Sequence, residues 1–155
     1  MIPVIRKAAA EDIPKMSALL SELFSIEKDF QIDPRKQIEG LSHFIDQPSR
    51  TALVAETETN SIIGMCTAQL IISTAEGGKA ALIEDVIVTS NYRGKGIGNS
   101  LLKAIEEWSW KQGARRLELL ADITNEAAAD FYSKLGWHKT RMLCWQKHPL
   151  NRTEA

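Results

Sequence analysis

Two cysteines in 155 residues, Cys66 and Cys144, are too few and too far apart for a disulfide framework or a metal cluster. Each falls in an apolar, strand-like run, where a free cysteine acts as a small buried hydrophobe. The three histidines, His43, His138 and His148, have no paired ligand spacing, so no metal site is expected. No stretch approaches the roughly 18–20 apolar residues that cross a bilayer. Met1 to Arg6 lacks the layout of a secretory leader. Charge of one sign is missing too, since 19 Lys and Arg against 20 Asp and Glu leave a net charge of −1. A nucleic-acid partner draws on a basic surplus, which is absent. The expectation is a cytoplasmic protein with no membrane or nucleic-acid partner. With no repeat, no low-complexity tract and no Pro/Gly/Ser linker, residues 1–148 read as one domain and 149–155 as a polar tail.

Against these absences stands a clear order of elements. Val4 to Arg6 is a short strand. Ile13, Met16, Leu20, Leu23 and Phe24 recur at the helical spacing of three and four, with Pro14 tolerated in the first turn. Asp33-Pro34 opens a second helix with Ile38, Leu41 and Ile45 inward and Pro48 just beyond. Three strand runs follow, Thr51 to Glu56, Ile62 to Ile72 and Ala80 to Thr89, separated by Asn60-Ser61 and Gly77-Gly78 turns. Gly94 to Gln112 is amphipathic through Ile97, Leu101, Leu102, Ile105 and Trp108, and ends before Gly113. Leu117 to Ala121 is a strand. Asn125 caps a helix that Gly136 stops, and Trp137 to Lys147 is a final strand. This order predicts an α/β (α+β) domain with a mixed, largely antiparallel sheet flanked by helices.

The chemistry concentrates in Asn91-Tyr92-Arg93-Gly94-Lys95-Gly96-Ile97-Gly98-Asn99-Ser100, at a strand-to-helix junction. Glycines at alternate positions let the chain turn tightly and let a ligand approach the main chain. The free N–H groups of the helix start and its dipole favour an anion there, and Arg93 and Lys95 add cations. The layout fits a pyrophosphate cradle. A dinucleotide-binding Gly-x-Gly-x-x-Gly is not met, because position 99 is Asn. A P-loop is not met either, because no Gly-Lys-Ser/Thr closes the turn.

With Glu84-Asp85-Val86-Ile87-Val88 before this turn, and Asn125 and Phe131-Tyr132-Ser133-Lys134-Leu135-Gly136-Trp137 after it, the chain resembles the GNAT superfamily of acetyl-CoA-dependent N-acetyltransferases. The resemblance covers the whole chain and is strongest from Leu82 to Trp137. It implies that acetyl-CoA is the acetyl donor. Ile87 and Val88 would offer main-chain groups to the pantetheine arm. Arg93, Gly94, Lys95, Gly96, Ile97 and Gly98, with Asn99 and Ser100, would bind the pyrophosphate. Asn125 would meet the pantetheine, Tyr132 the CoA sulfur and Lys134 the adenosine phosphates.

Acetyl transfer to an amine sets two proton tasks. An alkyl amine, with a pKa near ~10.4, must lose a proton before it attacks, and the departing thiolate gains from receiving one. Glu84 and Asp85 interrupt an apolar strand, and strand alternation turns only one of them toward the cleft. The resemblance favours Glu84 as the base, directly or through a water, and makes Asp85 structural. Tyr132 lies on the inner face of its helix, where an aromatic is ordinarily core; the resemblance makes its hydroxyl the acid. Direct transfer in a ternary complex is expected, without metal and without a covalent cysteine intermediate.

The acceptor is left open between a small-molecule amine and a peptide amine. Glu22, Glu27, Asp29, Asp33 and Glu76 border the acceptor side and fit a cationic substrate, or a plain solvated face. A non-catalytic CoA-binding sensor or interaction module would keep the glycine turn but need neither Glu84 nor Tyr132. A homodimer is expected through the edge of the long last strand.

Overall fold

The computed structural model describes residues 2–150. The elements are β1 (Val4–Lys7), α1 (Ile13–Ile26, entered through a short 3-10 turn at Ala10–Asp12), α2 (Pro34–Ser42), β2 (Arg50–Glu56), β3 (Ile62–Ser73), β4 (Gly78–Val88), α3 (Ile97–Lys111), β5 (Leu117–Leu119) and α4 (Glu126–Lys134). They form two compact units, the first ending at Leu119 and the second beginning at Leu120.

The first unit is a five-stranded sheet in sequence order, β1 to β5. β1 to β4 pair antiparallel, and only β4 and β5 run parallel, over Ala81–Ile83 against Leu117–Leu119. The mixed, mainly antiparallel sheet read from the sequence is therefore present. One sheet face carries Ala52, Val54, Met65 and Ile87, which form a continuous apolar cluster with Ile13, Met16, Leu20 and Leu23 of α1 and Leu41 of α2. Alternation along β3 sends Cys66 to the other face. There α3 packs across β2, β3 and β4, and the Cys66 thiol lies 3.7 Å from the Leu101 carbonyl.

α2 buries Leu41 as its spacing nominates, but not Ile38. Ile38 is exposed, and Gln37 is buried in its place. The Gln37 amide donates to the Ser17 carbonyl (2.9 Å), the Ser17 hydroxyl (3.2 Å) and the Ser21 hydroxyl (3.1 Å), and accepts from the Asp33 N–H (2.8 Å). α2 is a single short helix, so one saturated polar tie to α1 outweighs its weak apolar stripe. Asp33 caps it as expected, accepting from the Lys36 N–H.

In the second unit Asn125 Oδ1 accepts from the Ala128 N–H at 3.1 Å and so caps α4. Tyr132 stands edge-on between Phe131 and Trp137, with ring centroids 5.2 and 6.1 Å away. The last strand expected from Trp137 to Lys147 is not formed. Its apolar content reads as strand, but a strand exists only through a paired neighbour. No ladder engages this segment among the described residues, and Met142, Leu143 and Trp145 are exposed. Cys144 is exposed with them, so the buried-hydrophobe reading holds for Cys66 alone. Of the expected polar tail, residues 151–155 lie outside the described residues.

Candidate active site

The site begins with a fault in the β3–β4 ladder. Thr67 faces Glu84 and Met65 faces Ile87, so one more residue stands on β4 than on β3 across that interval. This is a β-bulge, and Asp85 takes it up with φ of 57°, the left-handed region, where Asp is among the more tolerant side chains. Strict alternation ends there. Glu84 lies opposite Thr67 and shares its face. The Asp85 carboxylate reaches that face too, where its Oδ2 accepts from the Thr67 hydroxyl at 3.0 Å. The bulge thus breaks the strict alternation expected of the two acids and sets both on the Thr67 side, and of the two Asp85 lines the cavity there. Burial pushes the Asp85 carboxyl up to about 6; the Glu84 charge adds to the rise, and the Thr67 hydrogen bond opposes it.

A cavity of about 240 Å³ opens beside Asp85. Leu20 and Phe24 of α1, and Leu41 and Phe44 at and after α2, give it apolar walls; Gln31, Asp33, Lys36, Gln37 and Gly40 complete the lining. Of the acids proposed to border an acceptor, Asp33 lines this cavity. Glu76 instead pairs with Arg116 at 3.1 Å.

Beyond Ile83, β4 has no parallel partner among the described residues, because β5 ends at Leu119. The chain runs on past Val88 into a short 3-10 turn, Ser90–Tyr92, and then into the glycine loop. Gly94 and Gly96 hold φ of 75° and 83°, and a Cβ at either would meet no protein atom within 4 Å. The loop backbone is therefore both turned as only glycine turns easily and open to approach. The first hydrogen bond of α3 runs from the Ser100 N–H to the Gly96 carbonyl (3.1 Å), leaving the earlier N–H groups of Ile97, Gly98 and Asn99 at the helix start. Lys95 places its ammonium 5.3 Å from the centre of the Tyr92 ring. Ser100 turns its hydroxyl back to the Gly96 carbonyl at 3.2 Å. These features fit a pyrophosphate.

Arg93 is engaged otherwise. Its Nε donates to the Val88 carbonyl at 2.7 Å, and its Nη2 pairs with Glu22 of α1 at 2.9 Å. Glu22 also accepts from the Thr89 hydroxyl and the Ser90 N–H, both at 2.9 Å. One carboxylate thus fastens α1 to the strand-to-loop junction. Ile87 buries its side chain in the apolar cluster. The first unit brings together Glu84, Ile87, Val88 and the 93–100 loop. Asn125, Tyr132 and Lys134 belong to the second unit, where Tyr132 is half-buried and Lys134 exposed at the end of α4.

Sequence reasoning missed Thr67 and the parts that Glu22 and Asp85 play. It set Glu22 beside the acceptor, whereas its partners at the strand-to-loop junction lie 67 to 71 positions away. Thr67 and the role of Asp85 follow from a bulge that a charged pair inside an apolar strand only hints at.

The Acetyltransferase (GNAT) family model matches residues 15–137, most of the chain, and the protein belongs to that family. Among curated relatives, an uncharacterized N-acetyltransferase of Methanocaldococcus jannaschii is 33% identical over 46% of this chain and only 32% of its own length. The thialysine N-epsilon-acetyltransferase of Sus scrofa is 27% identical over 89% of this chain and 91% of that protein. Among solved structures, AAC(6')-Iy in complex with a CoA-acetylneamine bisubstrate analogue superposes with a TM-score of 0.81. It covers 96% of this chain and 99% of that one at 14% identity, which establishes the shared fold.

Proposed function

We propose that this protein moves an acetyl group from acetyl-CoA to a primary amine by direct attack. The observation that carries the reading is the bulged end of β4, which presents Glu84 and Asp85 on one face and leads straight into the open, glycine-turned start of α3. Bound there, acetyl-CoA supplies an activated acyl carbon. Gly94 to Ser100 hold its pyrophosphate through main-chain N–H groups, and Ile87 and Val88 line the path of its arm. Since the Val88 carbonyl already accepts Arg93, the arm meets other main-chain groups of this stretch.

Glu84 takes the proton of the incoming ammonium, directly or through a water. The freed nitrogen forms the C–N bond as the C–S bond breaks, and the Tyr132 hydroxyl gives its proton to the leaving sulfur. Asn125 meets the pantetheine with the NH₂ side of its amide, its Oδ1 being held by Ala128. Lys134 reaches the adenosine phosphates. The family match over residues 15–137 takes in Glu84, Asn125, Tyr132 and Lys134 alike, which supports reading them as parts of one acetyltransferase sequence. The named activities of relatives, on a lysine analogue in Sus scrofa and on aminoglycosides in Acinetobacter baumannii, support a small amine over a protein acceptor. No helix among the described residues is long and apolar enough to cross a membrane.

A thiol-release assay with acetyl-CoA across a panel of amines tests the reading. Amine-dependent release of free CoA is expected; release that no amine stimulates would leave a CoA-binding module. A homodimer is proposed as well, now supported by exposed Met142, Leu143 and Trp145 in place of a strand edge. A monomeric mass by light scattering at high protein concentration would remove it.

A further inference from the structure

We propose that the cavity bounded by α1, α2 and the β4 bulge receives the acceptor as a primary monoamine on an apolar stem, its ammonium meeting Asp85. The inference rests on the acetyl-transfer reading and narrows it to a substrate class. Leu20 and Leu41 are almost fully buried, and with Phe24 and Phe44 they make the interior apolar. Two polar residues of the wall are already engaged, Gln37 and Asp33. Gln37 uses its whole amide on Ser17, Ser21 and the Asp33 N–H. Asp33 gives its Oδ1 to the cap of α2.

On the β4 side the open acceptor is Asp85. Its Oδ2 accepts from Thr67, and its Oδ1 accepts nothing among the described residues. That oxygen, beside the Leu and Phe walls, matches the ammonium of a primary amine. Carbons next to that ammonium lie against Leu and Phe side chains, each buried methylene being worth about fourfold in affinity. A polyhydroxylated amino sugar would leave hydroxyls unpaired against those walls. A second cation farther along the substrate would lose its water against the Leu and Phe walls, and the charges of Lys36 and Asp33 in the same lining offset each other. The apolar walls therefore select a monoamine such as an arylalkyl or branched alkyl amine.

The experiment has two independent arms. Calorimetry with 2-phenylethylamine alone, without acetyl-CoA, reads the cavity directly. Saturable binding is expected, weakened at least tenfold in Asp85→Asn while acetyl-CoA affinity is unchanged. Steady-state kcat/KM with acetyl-CoA is then compared for 2-phenylethylamine, 3-methylbutylamine, spermidine, L-lysine and kanamycin. The two monoamines are expected to lead by tenfold or more. Phe24→Glu, on a partly exposed wall position that tolerates a charge, is expected to shift the preference toward spermidine, with circular dichroism confirming the fold. The proposal is overturned if spermidine, lysine or kanamycin leads, or if Asp85→Asn binds the amine as the parent does. Those outcomes leave acetyl transfer standing. Failure to bind acetyl-CoA strikes the transfer reading instead, and calorimetry still judges the cavity.

Discussion

Arg93 and Glu22 are 71 positions apart in sequence and meet at 2.9 Å, tying the first helix to the mouth of the glycine loop. An arginine before two glycines reads as a phosphate ligand. Here its guanidinium braces the end of β4 through the Val88 carbonyl and α1 through Glu22. The pair is partly solvated, so its direct contribution to stability is modest, about 1 kcal/mol or less.

Its effect on the loop is expected to be larger. Glu22→Ala removes the partner of three groups at once: the Arg93 guanidinium, the Thr89 hydroxyl and the Ser90 N–H. The KM for acetyl-CoA is expected to rise roughly threefold to tenfold, about the worth of one modest hydrogen-bonded tie. The kcat at saturating donor should hold. An unchanged KM in steady-state kinetics would show that the loop keeps its shape without this anchor.

Gly96 is the second place where the loop can be tested. Its φ of 83° is left-handed, and a Cβ would meet no neighbour, so the penalty for a side chain is conformational and not steric crowding by the protein. Gly96→Val should cost about 1–2 kcal/mol of stability, or somewhat more because valine is β-branched. It should also abolish the thermal stabilisation that acetyl-CoA gives the parent. That stabilisation is about 2.7 kcal/mol when the ligand is present at a hundred times its Kd. A thermal-shift titration checks both, and a full shift in the variant would move the pyrophosphate to another site.

How much of this was legible in the chain depends on the range of the forces involved. The helical stripes of α1 and α3, the Asn125 cap and the glycine turn are set by neighbours within a few residues, and the sequence displays them. The bulge at Asp85 is not local in that sense, because it exists only in the register between β3 and β4. A charged Glu-Asp pair in an apolar strand marked the spot, but alternation gave the wrong geometry. Ile38 and Gln37 differ for a related reason: the amide finds Ser17 and Ser21, 20 and 16 positions away, and helical spacing carries no trace of them. In the 137–147 segment, apolar composition announced a strand, whereas pairing decides whether one forms.

The bulge makes a prediction about stability against pH. With the Asp85 carboxyl raised to about 6, the folded chain holds that proton more tightly than the unfolded chain, whose aspartate titrates near ~3.9. Between about pH 4 and pH 6 the folded state therefore binds more protons. Stability contributed through this group falls as pH rises, by up to about 1.4 kcal/mol per unit, and the loss is complete above pH 6. Asp85→Asn keeps the size and the tolerance for a left-handed backbone but removes the charge. It is expected to match the parent near pH 4 and exceed it at pH 7 to 8 in urea unfolding. A parent and variant with parallel pH profiles would mean that the carboxylate is better solvated than its setting implies.

The two proton tasks can be separated in one pH–rate series. Tyr132→Phe keeps the ring between Phe131 and Trp137 and removes only the hydroxyl, so packing and acetyl-CoA binding should persist while kcat falls. A general acid is worth about 10²–10⁴-fold, and a loss in that range fits protonation of the leaving sulfur. Glu84→Gln should act differently, because its task is to take a proton from the amine. Activity should drop most at acidic pH, where free amine is scarce, and recover in part as pH rises toward the pKa of the substrate, near ~10.4 for an alkyl amine. Asp85→Asn should raise the KM for the amine more than it lowers kcat. Three variants with three distinct signatures would divide the work among acid, base and anchor. If Tyr132→Phe retains nearly full kcat, the thiolate leaves without help from the protein. If Glu84→Gln loses the same factor at every pH, the bulge shapes the cleft, and the amine proton departs by another route.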